Sequence, residues 1–287
     1  MKKLIKCLIW TIFIFIILFV INYARINIYY FINKDNYTEY SKIEGNIDNY
    51  APQGLAYSEK YNVILQTSYN KNKKASMLYI TDFKTKKLIK KLQLKKSNNE
   101  INNNHVGGIA TDNNTLWITS DYEVNEYSLE EVINTNNNYI KSISDKKIPN
   151  RGDFCTFKDN TLWIGSFHIK IFYPEDPILH GFKVNNDNND NIDYDNPDYE
   201  YDIPWLVQGM AITDDNKFVY SQSFTPFHLS TISIYDREKL VKEIKVPPMS
   251  EGIFYKDNEI YICFESNATR YFYADPKIKK ILKIKIN

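Results

Sequence analysis

Eight side chains in this sequence have the types and the spacing to act together. Gln53, Asp153, Gln208 and Glu251 each stand immediately before the opening of a recurring strand–turn–strand unit; the corresponding place in one more unit is Gly107. A second series follows the second strand of each unit: Ser68-Tyr69, Ser120-Asp121, Ser166-Phe167-His168, Gln222-Ser223 and Glu265-Ser266. If the units are arranged around an axis, both series meet at one end. Asp153, Glu251 and Glu265, with Gln53, Gln208 and His105, would then form an oxygen-rich set. Hard oxygen donors suit a divalent cation, calcium foremost. The same residues would equally line a polar pocket without metal, with Gln53, His105, Arg151, Gln208 and Arg270 as ligand contacts. Glu265 ends the apolar run Ile260-Tyr261-Ile262-Cys263-Phe264, and a carboxylate placed there needs a partner such as Arg270, Arg151 or a cation. The sequence contains no P-loop, GxGxxG, GxSxG, CxxC or HExxH pattern.

The elements that position these residues are repeats. Gly107-Gly108-Ile109-Ala110-Thr111-Asp112-Asn113-Asn114-Thr115-Leu116-Trp117-Ile118 reads as strand, polar turn, strand, and degraded copies open at Gln53, Asp153, Gln208 and Glu251. Trp117 to Trp163 is a step of 46 residues, Gly209 to Gly252 is 43, and Gly54 to Gly108 is 54. A period of this length with four strand signals per unit predicts propeller blades. The outer halves are visible at 77–82 and 88–94, at 231–236 and 240–246, and at 271–273 and 281–286. Five complete blades over residues 51–287 are expected, with six as the alternative if 166–204 hides another. The acidic stretch with Asp187, Asp190, Asp193, Asp195, Asp198, Glu200 and Asp202 lacks the glycine and terminal glutamate of an EF-hand loop and reads as a solvated insertion.

Ahead of the repeats, Lys2, Lys3 and Lys6 precede an uncharged run over residues 7–24. Eighteen helical residues reach about 27 Å, close to the hydrocarbon thickness of a bilayer. The expectation is an uncleaved signal-anchor, with residues 1–6 in the cytoplasm, 25–50 as a tether, and the propeller outside the cytoplasm. The 36 basic and 35 acidic residues give a net charge of +1, which argues against nucleic acid as a partner. The partners expected are the membrane, through this helix, and a small molecule or a surface partner. Cys7, Cys155 and Cys263 are too few and too widely spaced for a disulfide framework.

Gly108-Ile109-Ala110 through Leu116-Trp117-Ile118, and Gly209-Met210-Ala211 through Val219-Tyr220, resemble the repeats of the SMP-30/gluconolactonase and strictosidine-synthase-like propellers. The block Pro247-Pro248-Met249-Ser250-Glu251-Gly252 with Phe264-Glu265-Ser266 resembles uncharacterised secreted bacterial propeller proteins. The resemblance covers roughly residues 50–287. The lactonase family implies a metal-dependent lactonase or esterase whose metal is held by Glu, Asn and Asp. Here Gln53 and Gln208 stand where the Glu and Asn would be, and Ser223 near the place of the Asp. Three functions follow as expectations: ligand or partner binding at the polar end, lactone or ester hydrolysis, and a scaffold with an inert channel.

Overall fold

The computed structural model describes residues 2–45, 49–72, 74–173, 175–184 and 192–286. The chain begins with helix α1 (Lys2–Asn33) and strand β1 (Thr38–Lys42), then forms the repeats. Blade I is β2 (Tyr50–Ser58), β3 (Val63–Asn70), β4 (Met77–Asp82) and β5 (Leu88–Lys95). Blade II starts with β6 (Gly108–Thr111), β7 (Thr115–Ser120) and β8 (Glu123–Ser128). A short helix α2 (Leu129–Asn134), capped by the Ser128 hydroxyl, leads to β9 (Tyr139–Lys141), which adds in parallel to the edge of blade I. Blade II ends with β10 (Ser144–Lys147). Blade III is β11 (Phe154–Lys158), β12 (Thr161–Gly165), β13 (Ile178–Lys183) and β14 (Tyr199–Asp202). Blade IV is β15 (Val207–Ile212), β16 (Phe218–Gln222), β17 (Ser230–Asp236) and β18 (Lys239–Val246). Blade V is β19 (Ser250–Lys256), β20 (Glu259–Phe264) and β21 (Lys280–Lys285), closed by β1 as its outer strand.

Five antiparallel blades therefore surround one axis. The stretch 166–204 supplies β13 and β14 and makes no sixth blade. Two expectations are corrected. Tyr271 ends a 3₁₀ turn (Thr269–Tyr271), and Phe272 and Tyr273 continue as turn, not as an outer strand. Blade V borrows its fourth strand from the N-terminal side of the chain: Thr38 pairs with Lys283 and Lys42 with Lys280, so part of the expected tether is built into the ring. The physical gain is closure of the ring, since β1 ties the start of the chain to its last blade and becomes that blade's edge strand. Of the acidic stretch, Asp187 and Asp190 lie outside the described residues. Tyr194 is buried and donates to Glu126 at 3.0 Å, and Tyr199–Asp202 is the outer strand of blade III.

The repeat glycines explain how the ring closes. A Cβ on Gly252 would lie 2.3 Å from the Leu55 amide nitrogen, because the inner strands of blades V and I touch backbone to backbone. In blade III the glycine is replaced by Phe154, and the space comes instead from Gly165 opposite it. A Cβ there would lie 2.3 Å from the Phe154 ring. The waist of the channel, lined by Gly54, Gly108, Phe154, Gly209 and Gly252, leaves only about 10 Å³. That is room for one water at most. The two ends of the channel are thus separate compartments.

The aromatic richness is used between and within blades. Phe254 stacks on Tyr261 at 4.5 Å, Trp117 on Phe157 at 5.4 Å, and Trp163 packs against Tyr199, Tyr201 and Phe218. Cys155 and Cys263 are buried free thiols. Helix α1 has the length and apolar composition of a membrane span or a signal sequence. Its C-terminal half packs along blades IV and V: Ile26 is buried, Tyr30 stacks on Tyr37, and Tyr29 and Tyr37 both donate to the Lys245 carbonyl.

Candidate functional site

Inner strands begin, and second strands end, at the same end of the ring. At this mouth three inner strands break register just before their glycine: between Pro52 and Leu55, between Val207 and Gly209, and between Ser250 and Ile253. Gln53, Gln208 and Glu251 occupy these irregularities. A bulge frees a residue from strict alternation and re-aims its side chain. That is why polar residues can sit at the start of otherwise apolar strands.

Glu251 and Glu265 are in hydrogen-bond contact at the mouth. Burial, followed by the charge of Glu265, pushes the Glu251 carboxyl well above the ordinary glutamate range. Burial also raises Glu265, against the Tyr271 hydroxyl, the nearby Arg270 charge, Glu251 and Gln53, which favour its ionised form. The pair is best described as sharing one proton: neutral Glu251 donates and Glu265 accepts. With Glu251 buried and Glu265 only partly open to solvent, two like charges in contact oppose one another, which favours the shared proton. Glu265 Oε2 also accepts from Tyr271 Oη at 2.8 Å and, at the long limit, from Gln53 Nε2 at 3.4 Å.

The Arg270 guanidinium lies between two tyrosine rings, 4.5 Å from the centroid of Tyr271 and 5.2 Å from that of Tyr69, and it hydrogen-bonds the Tyr69 hydroxyl. The His105 ring meets Tyr69 edge-on at 4.2 Å. Burial, together with the positive fields of Arg270 and Arg151, lowers the imidazole pKa to about 4 despite the opposing charge of Asp121. His105 is therefore neutral at physiological pH.

Across the mouth, Arg151 donates to Asp153 at 2.8 Å and to the Tyr173 hydroxyl at 3.0 Å, with Asp121 at 4.0 Å. Asp153 also accepts the Phe167 amide at 2.8 Å. Burial raises its pKa, and the Arg151 charge works against that rise. The structure thus joins Gln53, Glu251, Glu265 and Arg270 in one cluster and Arg151 with Asp153 in another. His105 stands within the field of both arginines, and Gln208 is half-buried on the bulge of β15. Among the described residues, no group of three or more His, Cys, Asp or Glu is arranged to hold a metal ion. Sequence reasoning did not find Tyr271, read there as strand, or Tyr173, which sits in the long β12–β13 loop. An aromatic next to an arginine, as in Arg270-Tyr271, was the available signal.

No protein family matches the sequence, and no curated protein matches it. Many solved structures share the fold, and two of them align over most of both chains. Glutaminyl cyclase from Myxococcus xanthus aligns over 88% of this chain and 95% of its own, with a TM-score of 0.56 and 9% identity. The PQQ-bound aldose sugar dehydrogenase from Streptomyces coelicolor aligns over 86% of this chain and 96% of its own, with a TM-score of 0.52 and 10% identity. At such identity the likeness is one of β-propeller architecture, and it assigns no family.

Proposed function

We propose that this chain is a membrane-anchored propeller that holds a small polar ligand at the mouth described above. Glu251 and Glu265 take a cationic or hydrogen-bond-donating group of the ligand, and Arg270 faces its anionic or carbonyl oxygen. The observation that carries this reading is the carboxyl pair. Two glutamates in contact, both with raised pKa, are unfavourable for folding and concentrate at functional sites. Glu265, Arg270, Tyr271, Tyr69 and His105 all remain partly open to solvent, so a ligand can reach them. Three lysines before the apolar helix against Arg25 after it orient the propeller outside the cytoplasm.

A divalent cation, calcium foremost, is the second reading, favoured by the same pair. Two carboxylates and the Gln53 carbonyl oxygen would supply part of a six- to eight-oxygen shell, with the ligand or water completing it. Lactone or ester hydrolysis has less support, because Gln53, Gln208 and Ser223 stand in place of the ligands that chemistry uses in the family resembled.

The test is thermal unfolding of the full-length chain in detergent, with EDTA, then with calcium, zinc, manganese and magnesium, then with small amines, amino acids and carboxylates. Saturation at 100 times the dissociation constant adds about 2.7 kcal/mol, several degrees at this size. A shift that disappears in both Glu251→Gln and Arg270→Gln supports the site. A shift that survives in both variants places the ligand elsewhere and contradicts the reading.

A further inference from the structure

We infer that the mouth of the channel faces the bilayer and docks on it through a collar of exposed aromatic and aliphatic loop residues; this rests on the reading that α1 anchors the chain. The direction of α1 supplies the first argument. Thr38, just after the helix, lies beside Lys283, near the turn end of blade V, where Glu259 pairs with Lys285. Eleven residues before Asn33 the helix has reached the opposite end. There Asn22 donates to the Phe227 carbonyl at 2.7 Å and Tyr23 hydrogen-bonds Asp275. Phe227 lies in the β16–β17 loop and Asp275 in the β20–β21 loop, both at the mouth. The large apolar residues from Leu4 to Ile21 then continue past the ring, exposed.

The second argument is one of length. Phe19 packs edge-on against Phe227 at 5.3 Å. Phe19 is five residues before Ala24, so this contact lies about 7.5 Å inside the apolar run. The whole run of 18 residues reaches only about 27 Å, against roughly 30 Å of hydrocarbon. The helix has no turns to spare, so crossing the bilayer brings Phe227 to the interface.

The third argument is what surrounds Phe227. Tyr273 stacks on it at 6.3 Å, and Phe272 packs on Tyr273 at 5.2 Å while remaining 80% exposed. Phe224 is exposed on the same loop as Phe227. Farther round the mouth, the β12–β13 loop presents Ile171 at 88% and Phe172 at 71% exposure. Aromatic residues at such a level form the interfacial belt of membrane proteins, and apolar faces insert about 5–10 Å. The partner is therefore the lipid surface itself, and the polar mouth opens onto the headgroup layer.

The test uses the full-length chain in phosphatidylcholine/phosphatidylglycerol vesicles. In a Cys7→Ser background, Cys155 and Cys263 are buried, so Phe272→Cys, Ile171→Cys and Leu240→Cys can each carry one fluorescent label. Leu240 is exposed on the opposite end and serves as the control. With a quencher on the lipid chains near the headgroup, labels at 272 and 171 are expected to be quenched at least twofold more than the label at 240. Equal quenching at all three positions overturns docking. Flotation with the vesicles separates the two failures: a chain that floats but shows equal quenching loses only the docking, and a chain that does not float loses the anchor as well.

Discussion

The two ends of the channel use the same residue types in opposite ways. At the turn end, acidic residues build the hairpins. Asp112 accepts the amides of Asn114 at 2.8 Å and Thr115 at 2.6 Å, and Asp159, Asn160, Asp257 and Asn258 adopt the left-handed backbone that tight turns require. Asp82 and Asp215 are held below the usual carboxylate range, by the Thr85 amide and by Lys217 respectively. At the mouth, Asp153, Glu251 and Glu265 are all raised by burial. The turn end also holds a cavity of about 470 Å³, between Leu55, Ile109 and Ile253 below and the hairpin tips above. Shape alone would favour that cavity. Electrostatics favours the mouth, because at the turn end Asp82 and Asp112 have backbone partners and Asp214, Asp215 and Asp257 have lysine partners, while Glu251 and Glu265 at the mouth are in conflict with one another.

The largest expected effect breaks the wall between the two ends. Gly252→Val pushes a side chain into the backbone of blade I and should cost about 3–5 kcal/mol in chemical unfolding, or prevent folding. A loss below about 1 kcal/mol would show that the waist is not close-packed.

Next is a difference of sign between the ends. Glu251→Gln keeps the shape of the pair and removes the proton it must retain. Because burial and the Glu265 charge raise the Glu251 carboxyl, this variant should be more stable than the wild type at neutral pH. Asp112→Asn at the turn end should instead destabilise by about 0.5–1 kcal/mol, through the loss of charge-assisted bonds to two amides. Equal signs for the two substitutions would remove the distinction between the ends.

The pH dependence sharpens the same contrast. The folded state holds the Glu251 proton above the ordinary value of 4.5, so between 4.5 and the raised folded value the native chain binds more protons than the unfolded one. Its contribution is present at low pH and declines as pH rises, and Glu251→Gln should flatten that slope. His105 acts in reverse. Its folded pKa of about 4 lies below the ordinary 6.5, so its contribution is full above 6.5 and is lost as pH falls towards 4. His105→Asn should remove that acid-side loss, a smaller effect. Stability curves of the two variants against pH, with no change in either slope, would contradict the burial of these groups.

Much of this architecture was legible because a propeller repeats itself. The residue just before the opening of each unit and the residue after each second strand placed Gln53, Asp153, Gln208, Glu251 and Glu265 at one end. Spacing gives position around a ring but not contact across it. It did not reveal that Glu265 turns to Glu251 while Asp153 turns to Arg151, since those pairings depend on bulges and loop conformations that leave no periodic trace. β1 was hidden for a related reason. A five-residue strand of mixed burial, Thr38-Glu39-Tyr40-Ser41-Lys42, has no hairpin partner nearby in sequence, and its pairing with β21 spans almost the whole chain. Phe154, which stands in place of a repeat glycine, is legible only with the register in hand, because the space comes from Gly165 opposite it.

The most direct test of the shared proton is infrared spectroscopy of the full-length chain at neutral pH, with ¹³C-labelled glutamate to identify the carboxyl bands. A protonated-glutamate stretch should be present in the wild type, absent in Glu251→Gln and unchanged in Asp112→Asn. If the wild type shows no protonated glutamate at neutral pH, both carboxyls are ionised or solvated, and the assignment of the mouth as the functional end loses its basis.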